Sequence, residues 1–505
     1  MQLNKENLKN ITAQNVIKPP EHIFELPDKV LQFGTGVLLR GLCDYFIDKA
    51  NRNGIFNGRV VVVKSTGTGD ATAFDKQDNL YTLCVRGIVH GNKIEENIIS
   101  SAINRVLSAR QQWKEILKYA HNRHLQVIIS NTTEVGLQLV KESIHQTPPS
   151  SFPAKLLAFL YERYQAFVSA AEAGMIIIPT ELITDNGKKL FHIVEELAYF
   201  NHLDEDFISW LKKHNRFCNS LVDRIVPGKP DAETLQQLQN ELGYEDELLS
   251  VCEVYRLWAI EGDYHEKNIL SFFEADEGVI IEPHIEIYKE LKLRLLNGTH
   301  TLTCGLAYLS GFATVKEGMN DASLSTFISD LMLKEIAQAV PYPLPDNAAY
   351  EFGMKVLDRF RNPYLQHQWL NITLQYTSKM KMRNIPILVR YYELYDTAPK
   401  NFALGFAAYL LFMKAVKKEG EKYYGERNAV YYPINDDEAF YFYEVWQNNS
   451  IDDVVTAVLH NQALWGVDIS HFYDFTENVK LHLKMMLEQG VAATLAASQQ
   501  KEKVQ

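Results

Sequence analysis

A glycine turn between an apolar strand and a helix constrains the fold of this 505-residue chain most. The extended, β-prone run 29–33 is followed by Gly34-Thr-Gly36, and apolar residues at helical spacing then continue over residues 37–50. A strand, a glycine turn and a helix N-terminus together form the pyrophosphate site of dinucleotide-binding α/β folds. Leu39 occupies the place of the third glycine of that fingerprint, so these residues alone leave an ordinary turn as the alternative.

Three more apolar runs, at residues 59–63, 126–130 and 175–178, are typical of parallel strands that are covered on both faces. The last two lead into small and polar residues, at the strand ends where open α/β sheets bind ligands. After the first run, Lys64 stands where a carboxylate normally binds the adenosine ribose of NAD, so the residues alone leave NADP open. The pattern predicts an α/β chain with an N-terminal Rossmann-like, doubly wound sheet.

The pattern changes near Glu282-Pro283. Before it, β-rich runs alternate with helical segments; beyond it the sequence shows long helical patterns and no convincing buried strand. We therefore predict a Rossmann-like, dinucleotide-binding domain over residues 1–283 and a mainly α-helical domain over residues 284–505. Only the tail from about residue 496 is expected to fray.

Composition argues against several classes of partner. Asp and Glu number 63 against 51 Lys and Arg, and the net charge of −12 argues against binding to nucleic acid or to an anionic membrane. The 5 cysteines show no Cys-x-x-Cys spacing, which argues against a disulfide framework and a zinc site. The N-terminus lacks the apolar core of a signal peptide, and the apolar run 402–416 is too short to span a membrane. We expect a cytoplasmic protein.

A second informative stretch, residues 292–300, carries an amine, an amide and an imidazole. On an α-helix with about 100° per residue, Asn297 lies about 140° and His300 about 80° around the axis from Lys292, so the three can line one wall of a cleft. Neighbouring leucines could desolvate the Lys292 amine, which suits proton transfer near neutral pH, while Asn297 could donate to an oxyanion. The alternative is an ordinary amphipathic helix with solvated Lys292 and Arg294.

These two motifs occur in one chain with three further blocks, at residues 77–87, 217–227 and 359–363. The set resembles the mannitol dehydrogenase family, the polyol-specific long-chain dehydrogenases. The resemblance implies NAD as cofactor, a small-molecule substrate and no metal ion, and it leaves monomer and homodimer open. Within the family, the blocks 131–136, 178–182, 367–368 and 432–437 are similar to members that reduce a keto-uronate with NADH.

Roles for individual residues follow from the resemblance. It implies that Lys292 is the general acid/base, Asn297 an oxyanion donor and His300 a ligand of a substrate hydroxyl. Asp223 would act near the lysine or the substrate, and its structural alternative is a helix cap or an ion pair with Arg224. The implied cofactor-binding residues are Phe33, Gly34, Thr35, Gly36, Arg40, Asn131 and Glu134.

Two departures from the polyol members bear on the substrate. Leu182 replaces an asparagine of the oxyanion site and Asn371 replaces an arginine, which weakens the case for a hexitol. A hexuronate brings a carboxylate that requires a cation, and Lys379, Arg361 and Arg383 are the candidates. Each arginine could equally be an ion-pair residue. The rival substrates within the family are fructuronate with mannonate, and the hexitols.

Overall fold

The computed structural model describes residues 1–65, 72–132, 136–168 and 170–501. The chain forms two compact units, of which the first comprises residues 1–87 and 93–285 and the second residues 88–92 and 286–505. Among the described residues, no helix is both long enough and apolar enough to cross a membrane.

The first unit is organised by a six-stranded parallel sheet. In chain order its strands are β1 (Asp28–Phe33), β2 (Arg59–Lys64), β3 (Ile103–Ser108), β4 (Val127–Ser130), β5 (Ile176–Pro179) and β6 (Arg216–Phe217). Their spatial order is β3-β2-β1-β4-β5-β6, and the register pairs Phe33 with Val63 on one side and with Ser130 on the other. This is the strand order of Rossmann folds, whose direction reverses between β1 and β4. The predicted α/β fold is confirmed.

Both faces of this sheet are buried, which explains its near-continuous apolar strands. Leu31 and Val61 point into one apolar cluster, and Val30 and Val60 point into a second one on the opposite face. The helices of the unit are Val37–Gly41, Cys43–Arg52, Thr72–Lys76, Ala109–Lys118, Phe152–Ala166, Asn186–Phe200, Glu205–His214, Ala232–Leu242 and Tyr264–Ile269. Two smaller sheets contain Val16–Ile17, Asn92–Ser100, Tyr81–Val89 and Ser250–Glu253 in one, and Ser220–Asp223, Leu257–Glu261 and Val279–Glu282 in the other.

The helix after the glycine turn is interrupted. Leu42 has φ −131° and ψ −73°, which splits the segment into Val37–Gly41 and Cys43–Arg52. The expectation of one continuous helix over residues 37–50 is therefore wrong. The second helix ends at Arg52, with Asn53 as its C-cap, and the left-handed Gly54 with φ 70° follows.

The second unit is mainly helical, as predicted. Its central helix Lys400–Phe412 is almost wholly buried and packs against Thr299–Leu309 and Tyr473–Gln489. The other α-helices are Glu286–Leu291, Val315–Asn320, Ala322–Asp330, Ala348–Phe360, Trp369–Ile372, Tyr376–Lys379, Ile385–Leu394, Ala439–Asn448, Ile451–His460, Gln462–Trp465 and Val491–Lys501. Three segments, Lys292–Gly298, Leu331–Ile336 and Met380–Asn384, are π-helical.

Two expectations for the second unit are wrong. An antiparallel meander of Lys417–Glu419, Lys422–Arg427 and Val430–Ile434 contradicts the expected absence of strands beyond Pro283. Charged residues fill its solvent side, so the apolar signal is weak, and only side chains such as Tyr423 and Tyr432 are buried. The helix Val491–Lys501 contradicts the expected fraying from residue 496.

Candidate active site

The glycine turn lies at the point where the strand order of the six-stranded sheet reverses. Gly34 has φ 128°, and a Cβ atom built on it would lie 2.9 Å from the carbonyl oxygen of Asn131. The Asn131 amide in turn donates to the Phe33 carbonyl at 3.1 Å, so the segment after β4 packs directly on the turn. A Cβ on Gly36 would meet no atom of the described residues within 4 Å. The turn is therefore tight at Gly34 and open at Gly36, which fits a backbone that approaches a pyrophosphate.

The segment after β4 is held by the segment after β5. The Asn131 amide side chain donates to the Thr180 carbonyl at 3.2 Å and to the Thr180 hydroxyl at 3.0 Å. The buried Glu181 carboxylate accepts from the Thr132 amide at 2.8 Å, from the Thr132 hydroxyl at 3.0 Å and from the Ser130 hydroxyl at 3.2 Å. Glu181 is not among the site residues predicted from the sequence.

The remaining predicted cofactor residues have diverse surroundings. Phe33 is buried against Phe152, with 5.1 Å between the ring centroids, and Thr35 is half-buried. Arg40 is buried and its guanidinium donates to the Leu248 carbonyl, in the same unit, at 2.7 Å. Glu134 lies outside the described residues.

The buried side chains of Gln32 and Asp44, which lie under the turn, were also not predicted from the sequence. The Gln32 amide donates to the Gly34 carbonyl at 3.4 Å and to the Asp44 carboxylate at 3.3 Å. Burial raises the pKa of Asp44 to about 7, although the Gln32 hydrogen bond and the Arg40 charge act in the opposite direction. Asp44, on the helix Cys43–Arg52, thus supports the turn through Gln32.

Asp223 is buried at the end of the strand Ser220–Asp223, in the first unit. Its neighbour Arg224 donates to the carbonyl oxygens of Glu253 and Gly41 and lies over the Tyr45 ring, 4.5 Å from its centroid. The Arg224 guanidinium therefore links backbone segments of the first unit, while the role of Asp223 stays a prediction.

In the second unit, the segment that carries Lys292 and Asn297 is a π-helix, Lys292–Gly298. The predicted angles assumed an α-helix and do not apply, because a π-helix bonds residue i to residue i+5 and so brings Asn297 one turn from Lys292. Lys292 and Asn297 are half-buried, and Arg294 is buried. Arg294 donates to the carbonyl oxygens of Met382 at 2.7 Å and Arg383 at 2.9 Å, so the alternative with a solvated Arg294 is wrong.

A second π-helix, Met380–Asn384, packs against the first. The Asn384 amide donates to the Gly298 carbonyl at 3.0 Å, and the Arg383 guanidinium donates to the Thr301 hydroxyl at 3.1 Å. Lys379, at the start of this π-helix, donates to the Ile372 carbonyl at 3.0 Å. The structure thus brings the predicted catalytic segment and two of the predicted carboxylate ligands together.

His300 lies in an aromatic enclosure. Its ring stacks on Phe360, with 4.1 Å between centroids and 7° between planes, and the rings of His367 and Trp369 stand edge-on to it at 5.2 and 5.9 Å. Burial lowers the pKa of His300 well below its usual value, and the nearby His367, Arg359 and Arg383 lower it further. Its Nε2 atom is buried without a hydrogen-bond partner among the described residues.

Cationic groups surround this enclosure. Burial and the Arg383 charge lower the pKa of Lys379, and burial lowers the pKa of Arg383, whose Nε atom has no partner among the described residues. Burial and the charges of Arg359 and Lys379 lower the pKa of His367. Arg359 and His367 lie in the motif blocks 359–363 and 367–368, but neither was predicted to belong to the site.

The third carboxylate candidate has a different environment. Arg361 caps the helix Ala348–Phe360, its side chain is 39% exposed, and it lies 3.8 Å from the Asp358 carboxylate. The two departure positions, Leu182 and Asn371, are both exposed. No cluster of three or more His, Cys, Asp or Glu side chains within the described ranges is arranged to hold a metal ion.

Comparison with known proteins identifies the class. The model for the mannitol dehydrogenase Rossmann domain matches residues 28–271, and that for the mannitol dehydrogenase C-terminal domain matches residues 284–487. The chain belongs to the mannitol dehydrogenase family and is an oxidoreductase.

Its curated relatives carry a narrower name. The altronate oxidoreductase of Halalkalibacterium halodurans is 36% identical over 495 residues, which cover 96% of each chain. That of Bacillus subtilis is 35% identical over 480 residues, covering 94% of this chain and 96% of the relative. Among solved structures, a D-sorbitol dehydrogenase superposes with TM-score 0.79 at 20% identity, covering 98% of this chain and 100% of that one. Pseudomonas fluorescens mannitol 2-dehydrogenase, solved with NAD and D-mannitol, superposes with TM-score 0.65 at 21% identity over 99% and 100%.

Proposed function

We propose that the protein is an NAD-dependent oxidoreductase that interconverts D-tagaturonate and D-altronate in hexuronate breakdown. The observation that carries the proposal is the packing of two π-helices in the second unit, one bearing Lys292 and Asn297 and the other following Lys379 and bearing Arg383. One segment has the groups for proton transfer to a carbonyl, and the other has cations for a carboxylate. The names of the curated relatives support this pairing of substrate and reaction.

The cofactor part of the proposal rests on the first unit. The reversal point of a Rossmann sheet, the tight Gly34 and the open Gly36 fit a dinucleotide with its pyrophosphate at the turn. When bound, NADH supplies the hydride that reduces the ketone. Lys64, the basic residue after β2, is compatible with NADP as well, and we propose NAD because the resemblance implies it and because a half-exposed lysine excludes neither cofactor.

Lys292 acts as the acid/base in this proposal. In the reductive direction the Lys292 ammonium donates a proton to the substrate oxygen as negative charge develops on it, and the Asn297 amide donates a hydrogen bond to the same oxygen. In the oxidative direction the neutral amine accepts the hydroxyl proton. The depressed pKa of His300 keeps its imidazole neutral, so its unpartnered Nε2 can bond a substrate hydroxyl without adding charge.

The substrate class follows from charge. Lys379 and Arg383 are partly desolvated, and Arg359 and His367 lie near enough to His300 to affect its pKa. A neutral hexitol would bring no negative charge to Lys379 and Arg383, whereas the carboxylate of a uronate would stabilise both cations. We therefore assign carboxylate binding to Lys379 and Arg383. Arg361, which is exposed and close to Asp358, is the weaker candidate.

The proposal also covers the setting. Five buried, unpaired cysteines and an NAD cofactor fit the cytoplasm, and a net charge of −12 argues against a nucleic-acid partner. We propose a monomer or homodimer.

A panel of initial rates tests the function. Purified protein is assayed through the absorbance of the reduced cofactor, with NADH and NADPH against tagaturonate, fructuronate and fructose. We expect efficient reduction of tagaturonate with NADH, weaker action on fructuronate and little on fructose. A higher rate with NADPH would refute the cofactor assignment, and fructose as the better substrate would refute the uronate assignment.

A further inference from the structure

Glu181 forms the link between two segments at the carboxyl edge of the sheet. It follows β5, is 3% exposed, and its carboxylate accepts three hydrogen bonds from Ser130 and Thr132, at the end of the neighbouring β4. Its own backbone carbonyl accepts from the buried Asn186 amide at 3.0 Å, which fixes the position from which the carboxylate extends.

A carboxylate in this place is costly unless it is well bonded. Burial raises the pKa of Glu181, and the hydrogen bonds from Thr132 and Ser130 oppose that effect. An ionised group that is buried and held by backbone and hydroxyl donors defines the position of those donors closely, because each would lose a strong, charge-assisted bond if it moved. Thr132 therefore has little freedom relative to β5.

The position of that segment matters because it borders the glycine turn. Asn131, between the two residues that Glu181 binds, has its carbonyl oxygen only 2.9 Å from the site of a Cβ on Gly34, and its amide bonds the Phe33 carbonyl. A movement of the segment from Ser130 through Thr132 would thus displace one wall of the crevice in which a dinucleotide crosses the sheet.

We propose that Glu181 is a positioning residue for the dinucleotide: it holds Asn131 and Thr132 against the glycine turn and so sets the shape of the cofactor crevice. The inference rests on the proposed NAD-dependent function, since it concerns the site where that cofactor would bind. Sites need their lining residues fixed within about 0.5 Å, so a looser segment should weaken cofactor binding before it alters the chemistry.

The test compares Glu181→Ala with Glu142→Ala. Glu142 is a matched control, because it is a nearly buried carboxylate of the same unit that also accepts three hydrogen bonds, from the Ser150 amide and hydroxyl and from the Ser151 amide. Titration of NADH fluorescence gives the dissociation constant, and initial rates give kcat and the KM values of both substrates. We expect Glu181→Ala to weaken NADH binding about tenfold or more, and to raise the KM for NADH with a smaller change in the KM for tagaturonate. Glu142→Ala should lower the melting temperature alone.

A conservative series keeps the test decisive if Glu181→Ala does not fold. Glu181→Gln keeps a side-chain oxygen that accepts from Thr132, and its NH2 group can donate to the Ser130 hydroxyl oxygen. NADH binding should therefore stay within about twofold. Thr132→Val removes a hydroxyl at the other end of the network and should weaken NADH binding by about threefold.

Equal NADH affinity in wild type, Glu181→Ala and Thr132→Val would overturn the inference, as would an equal loss in Glu142→Ala. These outcomes leave the proposed function intact, because wild-type NADH binding and tagaturonate reduction would still be observed. Failure of the wild-type protein to bind NADH would instead refute the proposed function.

Discussion

Replacing Lys379 by methionine should separate a charged from a neutral substrate. The ammonium is half-buried, its pKa is lowered by burial and by Arg383, and one of its three N–H groups bonds the Ile372 carbonyl. A hydrogen bond to a charged partner contributes about 1.5 to 3 kcal/mol, which corresponds to roughly tenfold to hundredfold in KM. Methionine keeps the apolar stem, so the loss should come from the charge.

The assay measures kcat and KM for tagaturonate and for fructose at saturating NADH. Lys379→Met should raise the KM for tagaturonate by the factor above and leave residual fructose activity within about twofold, because only the uronate supplies a carboxylate. Lys381→Met is the control, since this neighbouring lysine is exposed and bonds the Ala463 carbonyl. An equal effect of Lys379→Met on both substrates would refute the carboxylate assignment and favour a role in packing the π-helix.

Three further predictions concern the turn, the oxyanion and the histidine. Gly34→Ala places a side chain at φ 128° against the Asn131 carbonyl; thermal unfolding should show a loss of about 1 to 3 kcal/mol of stability, and NADH binding should weaken. The control Gly36→Ala should leave stability unchanged. Normal NADH binding by Gly34→Ala would contradict the placement of the cofactor at the turn. Asn297→Ala should reduce kcat by about 10² to 10³ if its amide serves the oxyanion, and a change in thermal stability alone would indicate packing. Because the pKa of folded His300 is depressed, the free energy of unfolding should fall as pH drops below the usual histidine value of about 6.5. His300→Gln should lack part of that fall in urea titrations at pH values of about 7.5 and about 5.5, and an identical pH dependence in the two proteins would show that His300 is not buried in its neutral form.

The sheet and its glycine turn could be predicted because their signals are local. Four valines in succession from Val60 are typical of a strand buried on both faces, and Gly34 and Gly36 come directly after the strand Asp28–Phe33. The hydrogen bonds between the segments after β4 and β5 could not be predicted from the sequence. Glu181 and Thr132 are distant in sequence and meet only once β4 and β5 are paired.

The segment that carries Lys292 and Asn297 could be singled out from the sequence, but its helix geometry could not. A π-helix has no periodic signature, and here the buried Arg294, which bonds carbonyls of the other π-helix, contributes to the packing of the two segments. The break at Leu42 follows Gly41, but a single glycine inside an apolar helical pattern does not by itself predict a break. Arg359 and His367 were visible only as parts of motifs, since their proximity to His300 depends on the packing of separate segments.

In the proposed mechanism, Lys292 performs the proton transfer. Lys292→Ala is measured for NADH binding by fluorescence titration and for turnover of tagaturonate with saturating NADH. Lys289→Ala serves as the matched control and should keep wild-type turnover. Lys289 precedes Lys292 by about one helical turn and lies 3.5 Å from the Glu286 carboxylate. We expect Lys292→Ala to bind NADH normally and to lose several powers of ten in kcat, whereas turnover above about a tenth of the wild-type value would refute the role of Lys292 as acid/base.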